Sequence, residues 1–310
     1  MREREPVNRG ECRDFRLLKK GGRGHRYSIL FVFPALAIYL LFSIFPSASG
    51  FYYALTDWTS MSGTKVGFIG FLQFRRLFDL DYIGQAVYNT VLFTVSTSVF
   101  RLFFGLLLAL GLNRAIRGRT ALRGIIFAPA LINNIVLGLI FMTILAPKGL
   151  LNSSLRFFGL GFLTRGWLSE PALAMYSVSF LEIWKWTGPI MIIFLAGLQG
   201  VPREYYEAAD INGANALNKF LRVTFPLIRP AFNINLLLCV ISGIRVFDMV
   251  FALTHGGPAR ATEVLNTIVY ESLANGFYGF AAAANLIIVL AIIVISIPLI
   301  KMLRKEEVAL

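Results

Sequence analysis

The chain has 310 residues, 56% of them hydrophobic and only 15% charged, with a net charge of +13. Ordinary soluble domains carry roughly 25% charged residues, so the composition argues against a water-soluble globule. A nucleic-acid-binding surface would gather its basic residues on one folded face; here they stand between long apolar runs, and membrane topology explains the excess.

An α-helix rises about 1.5 Å per residue, so about 20 mostly apolar residues cross a hydrocarbon core of about 30 Å. A basic tail over 1–27 leads to the first such stretch, at 28–47. Ser47-Ala48-Ser49 resembles the small-residue cleavage site of a secretory signal. The apolar run before it nevertheless exceeds the roughly 7 to 15 residues of a signal core, so a span is predicted. Further spans are predicted at 87–112, 122–146, 172–198, 231–252 and 279–300, followed by a tail over 301–310. Each is read as one helix, with Pro34, Pro129 and Pro189 accommodated among neighbouring helices. The expected fold class is an all-α integral membrane protein with six transmembrane helices.

Lys and Arg concentrate in loops that stay on the cytoplasmic side. The tail, the 113–121 loop with Arg123, the 199–230 loop and the C-terminal tail hold twenty, against seven in the alternate loops. Both termini are therefore predicted to be cytoplasmic, together with the 199–230 loop.

That loop is too polar to cross a membrane, yet patterned throughout. Pro202 suits a first helical turn, Glu204 and Glu207 complement the positive end of a helix dipole, and Gly213 can close a helix in the left-handed conformation. A helix is predicted over about 203–211. Leu217, Phe220 and Leu221 then recur at helical spacing opposite Asn215, Asn218, Lys219 and Arg222, and Pro226 disfavours further helix. Such a helix–turn–helix, held by two spans, suits a groove on a partner; an amphipathic loop on lipid headgroups is the alternative.

The same residues resemble the signature of ABC importer permeases, EAA-x3-G-x9-I-x-L-P. Glu207, Ala208 and Ala209 supply EAA, Gly213 the glycine and Pro226 the proline, while Val223 and Phe225 stand in for Ile and Leu. Asn212 stands where sugar-type members usually carry Asp. The resemblance implies that this loop is the cytoplasmic coupling helix between helices 4 and 5, docking into a partner ATPase. Glu207 would make polar contacts, Ala208 and Ala209 would allow close approach, and Gly213 would form the turn. A second run, Val246-Phe247-Asp248, Leu253-Thr254-His255-Gly256-Gly257-Pro258 and Ala261-Thr262-Glu263, resembles carbohydrate permeases of the maltose and glycerol-3-phosphate importer type. Tyr278-Gly279-Phe280-Ala281-Ala282-Ala283, opening the sixth span, is similar to that group as well.

Charges inside spans face a bundle interior or a water-filled path. Glu182 and Lys185 are three residues apart on span four, and Arg245 and Asp248 three apart on span five, so each pair is expected to meet on one helical face. With Trp184, Trp186, Asn233, Asn235 and Ser242 they are candidates for a solute path; internal ion pairs holding helices together are the simpler reading. Thr94, Ser96, Thr97, Ser98, Asn133 and Asn134 are expected to form interhelical hydrogen bonds. Arg101 has no partner at helical spacing on its own span.

No HExxH, GxSxG or paired-carboxylate arrangement accompanies His25 and His255, so an enzyme is not expected. Cys12 and Cys239 suggest neither disulfide nor metal site. A Walker-type phosphate loop is absent from the sequence, so no cofactor is expected on this chain and ATP and Mg would belong to a partner ATPase. The resemblance implies a second homologous permease, two ATPase subunits, an extracytoplasmic solute-binding protein, a sugar or polyol substrate and residence in a bacterial-type inner membrane. The alternative is an ion-gradient-driven secondary transporter, for which inverted repeats, broken helices and more spans would be expected.

Overall fold

The computed structural model describes residues 32–61, 66–114 and 116–307; the expected basic tail 1–27, with Cys12 and His25, lies outside them. Two compact units are distinguished, divided after Ser49. The described residues are mostly helical, and among them strand-like pairing is confined to an isolated antiparallel bridge between Thr56 and Phe68.

The first helix, α1, is Phe33–Tyr53. It widens into a π-helical turn over Leu40–Ile44, directly before Phe45-Pro46. Proline has no N–H to donate, and its ring presses on the carbonyl four residues back. A wider turn ahead of it relieves that clash without ending the helix.

After α2, Leu72–Phe78, comes α3, Ile83–Leu112, a helix of 30 residues. α4 is Arg119–Leu131 and α5 is Asn134–Ile144, with α6, Leu150–Phe157, following. α7, Pro171–Gln199, has 29 residues. The loop region then forms α8, Arg203–Ile211, and a segment α9, Ala216–Leu227, with a second π turn over Phe220–Thr224. α10, Arg229–Ile244, α11, Asp248–Thr254, α12, Leu265–Ala274, and α13, Tyr278–Glu307, complete the order. α13 passes through Ile300, so the expected tail 301–310 begins as the last turns of this helix.

Among the described residues four helices are long and apolar enough to cross a membrane, or up to six if each bent pair is one span. The expected single helix over 122–146 is in fact α4 and α5, bent by 93°. Pro129 removes a donor near the end of α4, and Asn133 starts a new helix by accepting from Ile135 N at 2.8 Å. The expected helix over 231–252 is α10 and α11, separated by Arg245–Phe247. Asn266 caps that break by donating to Val246 O at 3.2 Å, which replaces a bond the helix no longer makes. Pro226 does not end the second loop helix as expected: the π turn ahead of it carries the helix to Leu227, and the chain then bends by 70° into α10.

α3 packs most extensively against α7, and α10 packs on both of them. Two apolar clusters result. One joins Phe93, Met175, Val178, Leu181, Met249 and Val250; the other joins Leu102, Ile190, Met191, Phe194, Ile228 and Cys239. Between Phe93 and Leu102 on α3, and between Leu181 and Ile190 on α7, stand Arg101, Glu182 and Lys185, all buried. A polar layer thus separates the two clusters.

The hydroxyls of Thr94, Ser96 and Thr97 do not bridge helices as expected. Thr94 donates to Thr90 O at 2.6 Å and Thr97 to Phe93 O at 2.7 Å, back-bonding within their own helix. Four-residue reach within one helix satisfies the hydroxyl without a partner helix.

Candidate functional site

Three regions carry the chemistry. In the first, the loop 201–230, Gly213 has φ +70, the left-handed conformation that a Cβ would strain. Asn215 caps α9 by accepting from Asn218 N at 2.8 Å, and Lys219 Nζ reaches Asp210 Oδ1 at 2.5 Å across the turn. Tyr206 OH lies 3.2 Å from Thr224 Oγ1. Several apolar side chains of the pair face outward: Ile211 is 86% and Leu217 64% exposed. Glu207, Ala208 and Gly213 are exposed too, while Ala209, Val223, Phe225 and Pro226 are half-buried. An exposed face is thereby presented on a frame braced from within. The Asp210–Lys219 and Tyr206–Thr224 contacts have no signal in the sequence, because each crosses the turn from one helix to the next and depends on how the two pack.

The second region is the polar layer. Arg101 Nη2 lies 2.8 Å from Glu182 Oε1, with the two side chains 3% and 10% exposed. The expected Glu182–Lys185 pair is replaced by this contact between α3 and α7, because tight packing of the two helices brings the guanidinium across. Lys185 turns instead to the break after α4, donating to Ile132 O at 2.6 Å and to Asn134 Oδ1. The same Asn134 donates through Nδ2 to Asp248 Oδ2 at 3.0 Å. One amide thus links Lys185 on α7 to Asp248 on α11. Arg245 and Asp248 do not form the expected pair, since the helix that would align them is broken between them.

Five of the candidate path residues, Glu182, Trp186, Ser242, Arg245 and Asp248, line one cavity of about 380 Å³ together with Asn134. Ser242 also accepts from Arg101 Nη1 at 3.2 Å. Glu182 Oε2 is buried without a hydrogen-bond partner. Lys185 is not among the lining residues and meets them through Asn134. Asn233 and Asn235 are buried on α10 outside that lining, and Asn235 donates to Ile190 O at 3.2 Å. Trp184 packs edge-on to Phe141. Arg101 has no partner at helical spacing on its own span, and its signal in the sequence is a lone cation in an apolar run, a group that faces the bundle interior or a water-filled path.

The third region is the turn after α11. His255, Gly256, Ala259 and Arg260 all have positive φ. Thr262 donates to Gly257 O at 2.6 Å and pairs with Thr254 at 2.7 Å. Asn89 donates to both Ala261 O and Glu263 O at 2.9 Å. Glu263, 1% exposed, accepts from Thr267 at 2.6 Å and lies 3.3 Å from Arg260. Burial pushes its carboxyl up from the ordinary carboxylate range, against the lowering effect of the Thr267 hydrogen bond. Arg260 in turn sits 3.8 Å from the ring centre of Tyr82.

Comparison with known proteins places this architecture. Residues 101–305 match the family described as binding-protein-dependent transport system inner membrane component. The multiple sugar-binding transport system permease protein MsmF of Streptococcus mutans is 31% identical over 281 residues, covering 90% of this chain and 95% of that one. The arabinooligosaccharides transport system permease protein AraP of Bacillus subtilis is 32% identical over 278 residues, covering 88% and 87%. A chain of a bacterial ABC transporter involved in the import of the acidic polysaccharide alginate shares the fold, with a TM-score of 0.78 at 24% identity over 89% of this chain and 94% of that one. Broken helices, expected for the secondary-transporter alternative, are thus compatible with an ABC permease. The chain belongs to the family of binding-protein-dependent transport system inner membrane components, as a membrane permease subunit of the ABC importer class and not an enzyme.

Proposed function

We propose that this permease carries a sugar, oligosaccharide or related polyol across a bacterial cytoplasmic membrane, powered by ATP hydrolysis on a partner chain. Six spans with both termini cytoplasmic place the loop 201–230 on the ATPase side, in agreement with the excess of Lys and Arg on that side. Glu207, Ala208, Ala209, Gly213, Val223, Phe225 and Pro226 are assigned to coupling. The observation that carries the reading is the exposed, internally braced helix pair α8–α9 bearing the EAA pattern.

The working assembly is this chain, a second homologous permease, two ATPase subunits holding ATP and Mg, and an extracytoplasmic solute-binding protein. The alginate transporter that shares its fold has been solved in complex with an alginate pentasaccharide-bound periplasmic protein, which supports the last partner. The names of MsmF and AraP support a saccharide cargo. Within the membrane the solute passes the cavity of Glu182, Trp186, Ser242, Arg245 and Asp248, where charged and hydroxyl groups bond to solute hydroxyls and an indole face covers a sugar ring. Lys185, Asn233 and Asn235 support this lining without joining it.

The test is purification of the chain from its native membrane. ATPase subunits are expected to accompany it, and Glu207→Lys is expected to remove them. In cells, uptake of radiolabelled oligosaccharides should stop on ATP depletion and survive collapse of the proton gradient; the reverse pattern overturns the reading.

A further inference from the structure

The coupling reading leaves open how a push on α8 reaches the membrane. The turn 212–215, the Asn215 cap and the Asp210–Lys219 contact bind α8 only to the first turn of α9. The Tyr206–Thr224 contact reaches further, to the base of the loop.

Thr224 is buried, and its hydroxyl donates to Lys219 O at 3.3 Å, five residues back. A threonine hydroxyl has one proton, so Tyr206 OH is the donor in the 3.2 Å contact with Thr224 Oγ1. The order is Tyr206 to Thr224 to the Lys219 carbonyl. This relay closes the π turn Phe220–Thr224, whose wide ring accommodates Pro226. Single π turns frequently mark functional sites within helices. Four residues past Thr224, Ile228 is 1% exposed in the apolar cluster with Ile190 and Phe194, and there the chain bends by 70° into α10. The far end of α10 carries Ser242 and the break that borders the cavity.

We propose that Tyr206 and Thr224 are positioning residues that latch α8 to the base of α10, so that displacement of α8 by the ATPase turns α10 and reshapes the cavity at its other end. The proposal rests on the coupling reading above. It adds Tyr206, just ahead of the EAA pattern, and Thr224, at an unspecified position within it, and gives the π turn a purpose.

The test uses the whole transporter, purified with its ATPase subunits, in a chain whose native cysteines are replaced by alanine and whose cavity carries Ser242→Cys. Reaction of that thiol with a maleimide is timed with and without ATP and vanadate. In the parent, nucleotide is expected to change the rate. In Tyr206→Phe and Thr224→Val the change is expected to shrink about fivefold, the factor one net hydrogen bond is worth, with the ATPase still attached and hydrolysing ATP. Thr224→Ser, which keeps the hydroxyl, should behave as the parent. A full response in both Tyr206→Phe and Thr224→Val overturns the latch, as does loss of the ATPase from them, which would make the pair part of the docking face or of the fold. A parent without response, or a Glu207→Lys chain that keeps both ATPase and response, refutes the coupling reading itself and is told apart by that control.

Discussion

In the loop 201–230, Ile211 and Leu217 point away from the chain and Glu207 is exposed. In the turn 255–264, Thr262 and Glu263 are buried, and Asn89, Thr254 and Thr267 take up hydrogen bonds there. Both segments carry a family pattern, and both bend at a glycine with positive φ. They differ in where the recognised groups find partners. Those of the first stay exposed, and those of the second are used up inside this chain. A pattern of residues can therefore encode an interface or a fold, and burial of its polar members tells which.

Substitutions can break this contrast. The largest effect is expected from Gly213→Asp and Glu207→Lys, which should abolish uptake while the protein still inserts and purifies with an unchanged unfolding temperature; normal transport in both would remove the docking role. Asn89→Ala should do the opposite. It strips one buried and one part-buried carbonyl of their donor, costing roughly 2 to 6 kcal/mol at about 1 to 3 per orphaned group, and should lower the unfolding temperature in detergent.

Gly256→Ala comes next. At φ +85 an added Cβ is strained and would lie 2.6 Å from Glu263 Oε2, a penalty of about 1 to 2 kcal/mol, read as a smaller loss of thermal stability. Gly213 has similar dihedral strain but nothing within 4 Å of an added Cβ. Gly213→Ala should thus lose only the strain, about 1 kcal/mol, and a larger loss than at Gly256 would reverse the contrast.

The smallest effect concerns pH. The folded chain raises the Glu263 carboxyl above its ordinary value of 4.5, so it holds that proton more tightly than the unfolded chain does. The associated stability is full below 4.5 and is lost as pH rises through the raised folded value. Unfolding temperature should fall across that window in the parent and stay flatter in Glu263→Gln; parallel profiles would show that Glu263 does not titrate there.

Legibility in the sequence followed the range of the interaction concerned. The α8 helix begins and ends where its proline and glycine predict, because capping and turn preference act within four or five residues. The left-handed Gly213 was legible for the same reason. The breaks at Ile132 and Arg245 were not: hydropathy sums over a window, and a helix can bend inside an apolar run when Asn133 or Asn266 supplies the missing hydrogen bond. Charge pairing failed in the same way. Spacing of three residues offered Glu182 to Lys185, but helix packing offered it Arg101 at 2.8 Å.

By itself the sequence determined a membrane chain, the approximate run of its apolar segments and the loop that carries the EAA pattern. These depend on composition and on contacts between near neighbours. Only the tertiary structure decided that Arg101 answers Glu182, that Asn134 ties Lys185 to Asp248, and that Tyr206 meets Thr224. Each of those choices depends on how two elements pack, and within a membrane a buried polar group takes whichever partner that packing brings within hydrogen-bond reach.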